Sequence, residues 1–250
     1  MSVIGLQLYS IKDELEKDFF GALEKVKLAG YDSVEFAGFY GHTAKELKSA
    51  LADMGLTPLA AHTMLNDNAT QTAQFAAELG LKFVVVPWAP HDTIEACHAS
   101  NAMLKAAVPV FADVSITIGY HNHWSEFTRF NGRYALDIIM DGVDGIYEID
   151  TGWAVKGGAD LVAYIRGLGD KAGPIHAKDI HSDYATRNPE NVNARIGDGV
   201  VDFRAVIEQL RLAGTLSRGI IVEQEAFSGP MFEILAHNAR ALRALADGRL

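Results

Sequence analysis

Four pairs of proton- and metal-competent residues recur in this chain at a spacing of two: His121 and His123, Glu148 and Asp150, His176 and Lys178, Glu223 and Glu225. Each pair closes a short apolar run. Side chains of an extended segment alternate with period two, so the members of each pair face the same way if those runs are strands. Imidazoles and carboxylates brought together in this number suit a divalent cation. Without one, carboxylates held close would repel and some would take up protons. Glu126 follows His123 closely, and two earlier runs end near Glu35 and in His62. A glutamate within Val34-Glu35-Phe36 is costly to bury unless it is partnered. His62 reads most plainly as a hydrogen-bonded wall histidine, with contact to substrate as its functional role.

One architecture must collect these ends. Eight runs read as strands: Val3–Tyr9, Ser33–Ala37, Thr57–His62, Lys82–Pro87, Ser115–His121, Gly145–Asp150, Pro174–Lys178 and Gly219–Glu223. They have the apolar character of strands covered on both faces. Between them, helical periodicity marks Asp13–Ala29, Thr43–Met54, Asn68–Leu79, Asp92–Phe111, Tyr134–Met140, Asp160–Leu168, Asp202–Ala213 and Pro230–Ala246. Gly30, Gly55, Gly80 and Gly214 supply stops, and Thr43-x-x-Glu46 is a capping-box pattern. Eight βα units predict a single (β/α)8 TIM barrel across residues 1–250. A doubly wound sheet would announce its site with a glycine-rich first turn, and Tyr9-Ser10-Ile11-Lys12-Asp13 has no glycine. Barrel enzymes keep their sites at the C-terminal strand ends, so the four pairs would line one side of the mouth. Trp88 and Trp153 either cover that mouth or meet the apolar face of a sugar ring. The polar stretch Ile180–Val201 is expected to be a loop shaping the pocket. Its Arg195 or Arg187 could meet an acidic substrate group, although a solvated arginine is the plainer reading. Gly197-Asp198-Gly199 supplies conformational freedom for the turn that follows.

The net charge is −10, and no Lys/Arg cluster offers a footprint for nucleic acid or an anionic membrane. The one cysteine, Cys97, makes no intrachain disulfide and no Cys-x-x-Cys motif, and reads as a small core residue. The first residues lack a basic region, and no apolar run approaches the roughly 20 residues of a membrane span. A soluble, cytoplasmic protein is the expectation.

The markers Gly5-Leu6-Gln7-Leu8-Tyr9-Ser10, Gly30-Tyr31-Asp32-Ser33-Val34-Glu35, Ala61-His62 and Tyr120-His121-Asn122-His123 resemble one family. So do Asp150-Thr151-Gly152, His176-Ala177-Lys178-Asp179, Gly197–Phe203 and Val222-Glu223-Gln224-Glu225. The family is the sugar phosphate isomerase/epimerase group of the xylose isomerase-like TIM barrel superfamily, and the resemblance covers nearly the whole chain. It implies a metal held at the ends of strands five to eight, by Asp150, His176 and Glu223 with His121 in the fourth position. Epimerases carry a glutamate there, one of two proton-transfer bases, so His121 is a departure that weakens symmetric two-base epimerisation. Inosose dehydratase-like members resemble this sequence better at that strand. Glu225 is the alternative strand-eight ligand. The resemblance also leaves open a homo-oligomer.

The expected chemistry is metal-assisted proton abstraction beside the carbonyl of a sugar, keto-sugar or inosose, phosphorylated or not. The cation would be Mn2+, Zn2+, Co2+ or Mg2+, and it would stabilise the developing enediolate. Glu225, Glu126 or His123 would be the base, with Lys178 as hydrogen-bond or proton donor. Glu35, His62, Trp88, Trp153 and Arg195 are the candidate substrate contacts. Isomerisation, epimerisation and dehydration share this intermediate. Two rivals are a non-catalytic sugar-binding barrel and a multi-metal phosphodiesterase like the apurinic endonucleases of this superfamily, which the acidic charge disfavours.

Overall fold

The computed structural model describes residues 2–65, 68–188, 191–225 and 229–249. Eight parallel strands form one sheet: β1 Ile4–Gln7, β2 Ser33–Ala37, β3 Thr57–His62, β4 Phe83–Val86, β5 Thr117–His121, β6 Ile146–Glu148, β7 Ile175–Ala177 and β8 Ile220–Val222. Their order is β6-β5-β4-β3-β2-β1-β8-β7. The two ends of this order meet. Tyr147 bridges Ala172 and Asp150 bridges His176, with the His176 N–H donating to the Ile149 carbonyl at 3.0 Å. The sheet is therefore a barrel, the TIM barrel that the strand count predicts, and its closing seam sets Asp150 beside His176.

Helices clothe the outside: α1 Lys12–Lys17, α2 Phe19–Leu28, α3 Ala44–Met54, α4 Ala69–Leu79, α5 Ile94–Ala112, α6 Ala135–Ile139, α7 Thr151–Lys156, α8 Leu161–Leu168, α9 Phe203–Leu212 and α10 Met231–Ala246. The capping box of α3 is present in both directions, Thr43 N–H to Glu46 Oε2 at 2.9 Å and Glu46 N–H to Thr43 Oγ1 at 3.3 Å. Two expectations need correction. The helix expected over 13–29 is two helices, because Asp18 leaves the helical region (φ −154°) and its carboxylate accepts from the Gly21 N–H at 3.0 Å. An aspartate offers that cap more readily than it propagates a turn. The short α7 was not expected. Asp150 starts it by accepting from the Trp153 N–H at 2.8 Å through Oδ1. No helix among the described residues is long and apolar enough to cross a membrane. Cys97 is buried on α5.

Strand alternation sorts the barrel interior by depth. Leu59, Phe83, Val85, Ile146 and Ile221 form a buried apolar cluster of their own. Two residues further along the same faces stand Glu148 above Ile146 and Glu223 above Ile221. Gly119 occupies the matching position on β5 because there is no room for more, since a Cβ there would lie 2.9 Å from the Ile146 side chain. His121 follows it by two. An apolar plug thus closes the lower barrel, and polar side chains begin directly above it.

The 180–201 segment is built rather than loose, with its residues 189 and 190 outside the described set. Asp179–Ile180 pairs antiparallel with Asn193–Ala194. The Asp179 carboxylate accepts from the backbone N–H groups of Ile180, Gly197, Gly199 and Val201, all at 2.9–3.1 Å. This is an amide nest around an internal anion, and the close approach requires glycine at 199, where a Cβ would meet Asp179 Oδ1 at 2.1 Å. Asp179→Ala leaves those amides without their acceptor. It is expected to lower unfolding free energy by about 2–4 kcal/mol in chemical denaturation.

Candidate metal centre and cavity

Two layers of polar side chains sit above the plug. The lower one is buried except at His62, whose side chain is 11% exposed. The β1–β2 register sets Gln7 beside Glu35, and Gln7 Nε2 donates to Glu35 Oε2 at 2.8 Å. The same oxygen is hydrogen-bonded to His176 Nε2. Glu148 Oε2 lies 2.7 Å from His62 Nε2, 3.1 Å from His176 Nε2 and 3.3 Å from His121 Nδ1. Burial, and then the neighbouring Glu35 carboxylate, push Glu148 up to about 7. Burial would lower His176 and His62, but Glu148 and Glu35 together raise both, His176 well above the usual histidine range. His121 goes the other way. Its burial and the facing His176 and His62 hold it well below that range, so its ring is neutral and keeps a lone pair for a ligand role.

The upper layer surrounds a buried ammonium. Lys178 Nζ lies 3.0 Å from Asp150 Oδ2, 3.0 Å from Glu223 Oε2 and 2.7 Å from Glu225 Oε1, and 4.4 Å from the Trp153 ring centroid. Glu148 is not among these contacts. Burial would raise Glu223, but Lys178 and His176 hold it well below the usual carboxylate range. Asp150 is pushed up to about 6 by burial against the opposing pull of Lys178.

Donor atoms of His121, Asp150, His176 and Glu223 all lie within 4.8 Å of one another. The set suits a divalent ion of borderline or hard character. Two of its atoms, His121 Nδ1 and Asp150 Oδ2, are buried and make no well-aligned hydrogen bond, their near neighbours being Glu148 Oε2 at 3.3 Å and Lys178 Nζ at 3.0 Å. Glu35 also meets a requirement of such sites. Its carboxylate takes the Nε2 side of His176, which directs Nδ1 toward Glu223 at 3.4 Å. A carboxylate behind a ligating histidine fixes tautomer and ring orientation. A second set, His62, His121, Glu148 and His176, meets the same 4.8 Å criterion one layer lower.

Above lies a cavity of about 540 Å³ lined by residues that include Tyr9, His62, Met64, His121, His123, Trp124, Trp153, Glu223 and Glu225. Glu225 and His123 face it with side chains 27% and 32% exposed. Glu126 lies behind this wall, fully buried. It accepts from the His123 N–H at 3.0 Å, the Ser125 hydroxyl at 3.2 Å and the Tyr120 hydroxyl at 3.3 Å. Glu35 likewise sits below the cavity rather than on it. Trp88 is half-exposed beside His91, and Arg195 pairs with Asp198 along a separate depression formed with Pro230 and His237. Tyr9, Met64 and Trp124 were not singled out in the sequence, although Trp124 directly follows the histidine pair.

The chain belongs to the xylose isomerase-like TIM barrel family, whose model matches residues 23–245. Solved structures share the fold at low identity. A sugar phosphate isomerase/epimerase from Parabacteroides distasonis superposes with a TM-score of 0.81 at 24% identity, covering 96% of this chain and 97% of that one. The probable 3-DHS dehydratase AsbF of Bacillus anthracis gives 0.74 at 14%, covering 97% and 99%. The IOLI protein with a binding zinc atom gives 0.75 at 15%, covering 100% and 99%. No curated protein matches the chain.

The raised Glu148 carboxyl has a signed consequence for the metal-free protein. The folded chain keeps a proton up to about pH 7 that the unfolded chain loses near 4.5, so this group lowers stability as pH rises between those values. Glu148→Gln is expected to gain about 2–3 kcal/mol over wild type at pH 8. The gain should vanish near pH 4.5 in the same denaturation series.

Proposed function

We propose that this protein is a divalent-metal-dependent isomerase or epimerase of a sugar or keto-sugar, working by proton transfer beside a carbonyl through an enediolate. The observation that carries the reading is the convergence of His121, Asp150, His176 and Glu223 at a cavity that also exposes Glu225. A divalent ion held there would polarise the substrate carbonyl and stabilise negative charge developing on its oxygen. Glu225, oriented by its 2.7 Å bond from Lys178, is placed to take the proton. His123 follows β5, which does not adjoin β8 in the sheet, and would return a proton to substrate at the same cavity. The Lys178 ammonium faces three carboxylates, so it acts by fixing Asp150, Glu223 and Glu225 rather than by reaching substrate. His62 and Trp153 serve as substrate contacts. The described activities of the solved relatives, isomerase/epimerase and dehydratase, support this chemistry.

One feature favours a second outcome at the same site. His123, just beyond β5, offers an imidazole rather than a carboxylate at the cavity that Glu225 also faces. An imidazolium can protonate a departing β-hydroxyl, which makes dehydration of an inosose or 3-keto-sugar the alternative.

Mn2+ is expected to raise the melting temperature of the wild-type chain and to leave Glu223→Ala and His121→Ala unshifted in thermal scans. Glu35→Gln should keep the site but weaken Mn2+ binding 10–100-fold by calorimetry, as loss of a carboxylate behind a ligand does. With Mn2+ present, solvent deuterium should enter at least one member of a panel of ketoses and inososes at the carbon beside the carbonyl. No exchange across the panel would leave a binding barrel without this chemistry, and product analysis separates isomerisation from dehydration.

A further inference from the structure

The cavity is amphipathic, and among the described residues its lining offers no cationic side chain. The lining mixes Tyr9, Met64, Pro87 and the pair Trp124 and Trp153, whose ring centroids are 4.9 Å apart with planes tilted by 56°, with imidazoles and the carboxylates of Glu223 and Glu225. Among the described residues lining it there is no lysine or arginine. Lys178 is fully buried and faces three carboxylates. Residues 63–68 and 224–230, which follow β3 and β8, contain neither Lys nor Arg anywhere in their sequence. Of the cations further out, Lys12 stands at the rim, donating to the hydroxyl of the lining Tyr9 at 3.1 Å and lying over its ring, while Arg187 pairs with Asp183 and Arg195 with Asp198.

A phosphate ester brings nearly two negative charges and acceptor oxygens that call for Arg, Lys or a cluster of free N–H donors. Here it would meet Glu223, Glu225 and aromatic surface. A neutral polyhydroxylated ring suits this mixture, because its C–H face can lie on tryptophan and its hydroxyls can bond carboxylates and imidazoles. The volume is within the range of small-molecule sites.

We infer that this cavity selects an uncharged, unphosphorylated polyhydroxylated ring, a free sugar or cyclic polyol ketone, and rejects phosphate esters. The inference rests on the proposed function only in taking the same cavity as the substrate site.

The test measures binding by tryptophan fluorescence and calorimetry to the intact Mn2+-loaded chain. The probes are matched pairs: D-fructose with its 6-phosphate, D-ribulose with its 5-phosphate, and myo-inositol with its 1-phosphate. At least one free compound is expected to bind 30-fold or more tighter than its ester. Met64→Lys, a change at a half-exposed lining position, should narrow that gap at least tenfold by supplying the missing cation. An ester that binds as tightly as its parent overturns the inference, as does failure of every free compound to bind. A gap that Met64→Lys leaves intact also overturns it, because the discrimination would then not come from charge. Deuterium exchange followed in parallel keeps the two readings apart. Free rings that bind without exchange retain this inference and refute the proton-transfer reading, whereas exchange confined to esters does the reverse.

Discussion

A lysine ammonium sealed inside a barrel is stable only when carboxylates surround it, and carboxylates packed this closely are stable only around a cation. Lys178 with Asp150, Glu223 and Glu225 meets both conditions at once. Desolvating these charges costs several kcal/mol per ion, and removing one partner would leave the others uncompensated. Three carboxylates against one ammonium still leave negative charge in excess. That excess of negative charge is what a divalent ion would balance. The same arrangement therefore bears on metal affinity, on the aim of Glu225 and on the character of the cavity.

The backbone brings the group together before any side chain is considered. Asp150 and His176 are neighbours because the sheet closes there, and His121 and Glu148 are neighbours because β5 pairs with β6 in that register. Below, Gln7 and Glu35 hold one edge of His176 so that the other edge points upward. The apolar plug beneath excludes water from this layer, which strengthens every interaction within it. Position along a strand bears on role most plainly at β8, where Ile221 packs, Glu223 joins the candidate metal set and Glu225, beyond the strand, faces the cavity.

Much of this was readable from spacing. Period-two pairs at the ends of apolar runs show which side chains face the same way, the family resemblance singles out His121, Asp150, His176 and Glu223 among them, and the eight strands fall within the runs that predict them. What could not be read depends on which atoms meet across the barrel. Glu35 looks like a substrate contact in the sequence and instead backs His176, a relation set by the register of strands far apart in the chain. Glu126 has the type and place of a base, yet Tyr120, Ser125 and the His123 backbone enclose it. The break at Asp18 and the start of α7 turn on single carboxylates choosing a cap, a competition that helical periodicity does not reveal.

The Asp179 nest lies three residues beyond His176, and it ties the outgoing end of β7 to the turn that begins α9. With the Asp179–Ala194 ribbon, it clamps both feet of the long excursion between them. Changes within the excursion's span are thereby insulated from the histidine that the barrel seam positions. Such an arrangement lets a lineage, or an engineer, alter that excursion while the candidate metal set keeps its shape.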